Sequence, residues 1–301
     1  MTSPPKSTLR HHARTLLLET AIGRFVMVVP RAGLALKAAG IGPRLGAIAR
    51  WAVTSREHVN FTYDTTRDSQ RLLCAAIAEI AGCPTSEVVD HLDQLLADRD
   101  LIAHVETVSR SPASRHRVDP GFKPGRRIAF YLLARVLKPR FVVEAGVDRG
   151  LGALLISHAL NMNAAEGFPG DYLGIEFDAE KPIPLYQGYP HRVGNITRGD
   201  SIAVVAALDR PIDLFIHDTT TEPAHVSAQL AAVAQKRSPH GVIASTWSMP
   251  QLTEFALRGG LGILTHQEEP VGHWFSGDRV AMVFPRRLVT RSNGDSITPP
   301  A

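Results

Sequence analysis

From Ile128 onward the chain alternates short apolar segments of strand character with helical segments, and this alternation restricts its fold more than any other feature. A helix, IAFYLLARVL (128–137), precedes the strand FVVEAG (141–146). Helical segments at 151–160, 201–209, 223–236 and 250–258 then separate the strands YLGIEFD (172–178), a weaker one near 192–197, IDLFIHD (212–218) and GVIASTW (241–247). Strands spaced by helices of about 10 to 15 residues predict a parallel sheet covered on both faces. The end differs: ILTHQE (263–268) and DRVAMVFP (278–285), joined by the turn-rich PVGHWFSG, read as an antiparallel pair closing one edge. The expected architecture is therefore an α/β doubly wound, seven-stranded mixed sheet with an antiparallel C-terminal pair and a helical region before it.

That preceding region divides in three. Residues 1–12 are polar with adjacent prolines and read as a disordered tail, as do residues 290–301. Residues 13–108 form an N-terminal helical region, read as a lid or oligomer contact: short, basic, proline-interrupted helices up to about residue 52, then helices at 66–81 and 86–97. Basic amphipathic pieces such as the first of these can lie on membranes, but packing on the rest of the protein or across a homo-oligomer interface is the reading taken. Residues 109–127 are a basic linker or a loop over a site, and Arg115, Arg117, Arg126 and Arg127 are assigned to solvated surface rather than to a phosphate-bearing partner. The charge of +4, 33 basic against 29 acidic residues, does not itself imply nucleic acid. Cys74 and Cys83 match neither a disulfide framework nor a zinc or redox motif. No signal-peptide pattern and no transmembrane-length apolar run is found, so the protein is expected to be cytoplasmic.

In an open α/β sheet ligands bind beyond the carboxyl ends of the strands. The first strand ends in Glu144-Ala-Gly146-Val-Asp-Arg-Gly150-Leu-Gly152, which supplies neither G-x-G-x-x-G nor a phosphate-loop GK[ST] ending. A carboxylate such as Glu176, closing the second strand, can accept from two vicinal hydroxyls. Asp200 follows the third strand and Asp218 closes the fourth.

Across about residues 125–285 this E-x-G-x-x-x-G-x-G loop, with Glu176, Asp200 and Asp218 in order, resembles the class I S-adenosylmethionine-dependent methyltransferases of Rossmann-like fold. The resemblance implies a methyltransferase domain at 128–289 with S-adenosylmethionine as cofactor. It implies that Gly146, Gly150 and Gly152 hold the methionyl part, that Glu176 takes the ribose and that Asp200 lies near the adenine amine. Asp218 is then beside the transferred methyl group, and Glu144 positions loop amides or receives the cofactor's ammonium.

Methyl transfer to a hydroxyl needs a base, and His217 or His225 is expected to serve, with Asp218 facing the substrate. Alternation along a strand cannot turn His217 and Asp218 to the same face. Related metal-dependent enzymes carry a carboxylate after strand five, whereas here Ala244-Ser245-Thr246-Trp247-Ser248 has none, so a divalent metal is not favoured and no metal ligands are assigned. Tyr63, Trp247, His273 and Trp274 are candidate substrate-binding walls. The expected function is methyl transfer to a small-molecule acceptor, at a hydroxyl of a secondary metabolite or sugar-bearing intermediate; no RNA-binding accessory motif is present. The alternatives are a nicotinamide-dependent oxidoreductase and a non-catalytic, methyltransferase-like assembly module.

Overall fold

A computed structural model describes residues 40–55, 62–111 and 119–286. Two compact units are present, one comprising residues 1–55 and 272–274 and the other 56–271 and 275–301. In the first, the helix α1 (Ile41–Thr54) is described. The second opens with α2 (Arg67–Ala81), α3 (Thr85–Ala97) and α4 (Arg99–Arg110).

A 3-10 turn (Gly125–Arg127) then leads into α5 (Ile128–Leu137), β1 (Phe141–Ala145), α6 (Leu151–Ala165), β2 (Asp171–Glu176), α7 (Pro184–Gln187) and β3 (Asn195–Arg198). The chain continues through α8 (Ser201–Ala206), β4 (Ile212–His217), α9 (Pro223–Lys236), β5 (Arg237–Ser245), α10 (Pro250–Arg258), β6 (Gly262–Gln267) and β7 (Arg279–Phe284). The strands form one sheet in the order β3-β2-β1-β4-β5-β7-β6. β7 runs antiparallel to both its neighbours and the other pairs are parallel, as the alternating pattern predicts.

Period-2 alternation divides the core. Val142, Leu214, Ile216, Val242 and Met282 face one side with α2 to α6. Val143, Ala145, Phe215, Ile243 and Val283 face the other with α9 and α10. Each large apolar side chain buried in this way contributes about 1.5–3 kcal/mol. The helices over 67–110 share a core cluster with the sheet, so they are part of the sheet's own compact unit.

The sequence reading missed α4. Asp98 caps it, its side chain accepting from Leu101 N at 2.8 Å, and Leu101, Val105 and Ser109 form its buried face. The linker expected from residue 109 therefore starts inside a helix. Residues 112–118 and both termini lie outside the described residues.

Glu144 shows how the loop after β1 is packed. Its side chain is buried, accepts from the Tyr172 hydroxyl and lies under α6, where a Cβ on Gly152 would stand 2.1 Å from Oε1. Burial pushes its carboxyl up to about 8 from an ordinary value of 4.5, against the opposing effect of the Tyr172 bond. A carboxyl raised in the folded state favours folding fully below its unfolded pKa and loses that contribution as pH rises to the folded value. Glu144→Gln is isosteric and cannot ionise, so the variant should gain melting temperature relative to the natural protein between pH 5 and about 8. Equal pH dependence of the two proteins in thermal melts would refute the assignment of a protonated carboxyl here.

Candidate active site

The end of β1 is fixed from both sides. Gly146 N donates to Ile175 O of β2, and Asp218 N, just beyond β4, donates to Ala145 O, both at 2.9 Å. Gly146 has φ 92°, and a Cβ there would lie 2.1 Å from Asp218 O, so only glycine lets the two chains approach this closely. Gly150 caps α6.

A cleft of about 310 Å³ opens at these strand ends, lined by Gly146, Glu176, Phe177, Asp200, Ser201 and His225, among others. Glu176 is buried, with Oε2 accepting from Asp148 N at 2.8 Å and Oε1 from Asp178 N at 3.2 Å. These two amides fix the carboxylate and leave each oxygen further acceptor capacity. Asp200 sits at the rim as the cap of α8, accepting from Ile202 N at 2.8 Å. Gly146, Glu176 and Asp200 thus border one cleft, whereas Gly150 and Gly152 are not among the residues lining it. Glu144 does not line the cleft either, because the period-2 alternation of β1 turns it into the core.

The two candidate histidines take different positions. His217 is buried against α9, with Nδ1 2.6 Å from Gln229 Oε1 and Nε2 3.0 Å from Thr220 O, and burial lowers its pKa. His225 lines the cleft that holds Glu176 and Asp200, with Nε2 3.4 Å from Ser201 Oγ, and Asp218 is not among the residues lining that cleft.

Asp218 turns the other way, into a compact ionic cluster. Its Oδ1 accepts from Thr246 Oγ1 at 2.8 Å and lies 3.7 Å from Arg126, and its Oδ2 accepts from Arg127 at 3.3 Å. The Asp218 side chain is only 4% exposed and the two guanidinium-bearing side chains 15% and 17%, so these arginines are not the solvated residues the composition suggested. Arg126 also bonds Asp278 at 2.7 Å and lies 5.5 Å over the Trp247 ring. Asp278 N donates to Glu268 Oε2, which also accepts from the Tyr63 hydroxyl at 2.8 Å.

The remaining oxygen of Glu268, Oε1, is buried without a hydrogen-bond partner. Burial pushes this carboxyl up to about 7, opposed by the Tyr63 bond and the Arg126 charge. Tyr63 and Trp247 therefore lie in the Asp218 cluster, Tyr63 as a buried partner of Glu268. His273 and Trp274 instead belong to the other compact unit, where Trp274 meets Trp51 edge to face at 5.4 Å.

Sequence reasoning missed Arg126, Arg127, Thr246, Glu268 and Asp278 as members of one cluster, since four separate segments contribute them. Among the described residues no group of three or more His, Cys, Asp and Glu side chains could hold a metal ion. Asp218 faces two guanidinium groups that would repel a divalent cation.

Residues 143–245 match the family described as a methyltransferase domain. That match spans about a third of the chain. No match is found among curated proteins. The O-methyltransferase TomG from Streptomyces achromogenes, involved in tomaymycin synthesis and solved with its cofactor, is 14% identical, with 62% of this chain and 90% of that one covered and a TM-score of 0.44. The Podospora anserina methyltransferase PaMTH1 is 14% identical (67% and 96% covered, TM-score 0.44). A methyltransferase from Geobacter sulfurreducens is 17% identical (67% and 98% covered, TM-score 0.44).

Glu176→Ala should weaken S-adenosylhomocysteine binding at least roughly tenfold, since bonds to a charged group contribute about 1.5–3 kcal/mol each. Calorimetry checks this on protein whose circular dichroism is unchanged. An unaltered affinity would remove the ribose assignment.

Proposed function

We propose that the protein transfers the methyl group of S-adenosylmethionine to a hydroxyl oxygen of a small-molecule acceptor. The observation that carries this reading is the pairing of an amide-fixed carboxylate, Glu176, in an open cleft with a second carboxylate, Asp218, across the Gly146 junction. The residues present fit the cofactor. Glu176 has acceptor capacity for two ribose hydroxyls, and Asp200 and Phe177 border the same cleft. A small cavity lined by Lys123, Arg127 and Arg149 offers cationic groups to the carboxylate of the methionyl end. When bound, the cofactor supplies an electrophilic methyl carbon on a sulfonium.

This chain's own groups orient the acceptor and move its proton. Arg127 lines the cationic cavity and also holds Asp218, so the two parts of the site share a residue. Trp247 presents an aromatic surface under Arg126. We assign proton acceptance to Glu268 instead of a histidine, because its buried Oε1 has no partner and its carboxyl titrates near neutrality. Tyr63, Arg126 and Asp278 are the ionisable groups that face it.

A base must be deprotonated to act. With the pKa raised to about 7, kcat/KM should therefore rise with pH through about 7 and fall away in acid. Glu268→Gln should lower kcat by roughly 10²-fold or more while leaving S-adenosylhomocysteine affinity unchanged. A variant that kept the natural pH profile would displace Glu268 from this role.

The reading as a whole is tested by calorimetry with S-adenosylhomocysteine and NADH, followed by a methyl-transfer screen over hydroxyl-bearing acceptors. Selective binding of S-adenosylhomocysteine is expected. Preferential binding of NADH would overturn the assignment.

A further inference from the structure

The net positive charge of this protein is confined to its beginning. Residues 1–55 contain eight Lys or Arg against one Glu, whereas the other 246 residues contain 25 basic and 28 acidic side chains. The compact unit that holds this excess includes α1. Such segregation marks a segment that meets a polyanionic surface.

Helix α1 shows which kind of surface. Leu45, Ile48, Ala49, Ala52 and Val53 recur at i, i+3, i+4, i+7 and i+8 and so share one side. That side is in solvent, with Leu45 60%, Ile48 41% and Val53 85% exposed. Ala47 and Trp51, on the opposite side, are half-buried, and Trp51 meets Trp274. Arg44 and Arg50 are exposed and flank the apolar side at the two edges, and the helix carries no acidic residue. An apolar strip bordered by arginines suits the interface of a bilayer, where aliphatic side chains enter the acyl boundary and guanidinium groups meet lipid phosphates. A nucleic acid would use the arginines but leave the aliphatic face in water. A second copy of the same segment would bring like charges together.

We infer that α1 is a peripheral docking surface for a bilayer bearing anionic phospholipids, with Leu45, Ile48 and Val53 inserted and Arg44 and Arg50 at the headgroups. This docking is independent of the methyl-transfer reading. Among the described residues no helix is long and apolar enough to cross a membrane, so attachment through α1 is peripheral.

The test is co-sedimentation of the full-length chain with vesicles of phosphatidylcholine alone and of phosphatidylcholine mixed with phosphatidylglycerol. Binding to the mixed vesicles only, weakened by salt, is expected. Arg44→Gln with Arg50→Gln should reduce affinity about thirtyfold, at about 1 kcal/mol per basic residue. Ile48→Asp with Val53→Asp should reduce it at least roughly tenfold. Unchanged melting temperatures and S-adenosylhomocysteine affinity would show that the variants remain folded.

Absence of binding by the folded natural chain would overturn the proposal. So would vesicle binding indifferent to Ile48 and Val53, retention on single-stranded RNA in preference to vesicles, or a dimer in solution that the aspartate variant dissociates.

Discussion

The candidate site depends on one close approach, that of Gly146 to the Asp218 carbonyl. Two backbone hydrogen bonds tie the end of β1 to β2 on one side and to the residue after β4 on the other. Only a residue without a Cβ fits between them. Because β1 is central, with β2 and β4 as its neighbours, this junction fixes where the β2 carboxylate Glu176 and the β4 carboxylate Asp218 stand. Both emerge at the carboxyl edge of one rigid sheet, where loops can carry chemistry without disturbing the core.

The two carboxylates are stabilised in different ways. Glu176 is satisfied by backbone amides and remains open to a cleft. Asp218 is buried, and a buried charge is tolerated only when paired. Arg126, Arg127 and the Thr246 hydroxyl supply that pairing, and Asp278 balances the second guanidinium. Residues 62–66 complete the arrangement. Thr66 N donates to Glu269 O, and Val271 N to Asp64 O, so the segment lies along the chain after β6 and brings Tyr63 onto Glu268. The segment before the sheet thus joins the Glu268 cluster through backbone pairing.

The sheet was legible because its signal is local. Apolar runs and the helices between them mark every strand but β3, the polar NITR, to within a few residues, and the order of strand-end residues follows from chain direction alone. The ionic cluster was not legible, since Arg126, Asp218, Thr246, Glu268 and Asp278 are brought together by tertiary packing and by strand β7 inserting between β5 and β6. Arg126 and Arg127 sat in a Ser/Pro/Gly-rich basic stretch whose composition points to solvent. Their pairing with a carboxylate some ninety residues away overrode that preference. Helix α4 had a readable cap in Asp98, and its buried residues stand four apart, but its start one residue after α3 left no turn signal between them. His217 was one of two candidate bases, and alternation along β4 already set it on the opposite face from Asp218; the structure buries it against Gln229 of α9.

Burial is the physical ground for proposing a carboxylate, Glu268, and not a histidine as the base. Removal from water disfavours the charged form of either group. For an imidazole that moves the pKa down, away from neutrality, as at His217 and His266. For a carboxyl it moves the pKa up toward neutrality, as at Glu268. A site closed enough to exclude water from a reactive sulfonium therefore weakens histidine as a base and strengthens glutamate, provided one oxygen stays free. Tyr63 and the Asp278 amide occupy only one oxygen of Glu268, and Arg126 limits the upward shift by its charge. The same guanidinium that keeps Asp218 paired thus keeps Glu268 within reach of physiological pH.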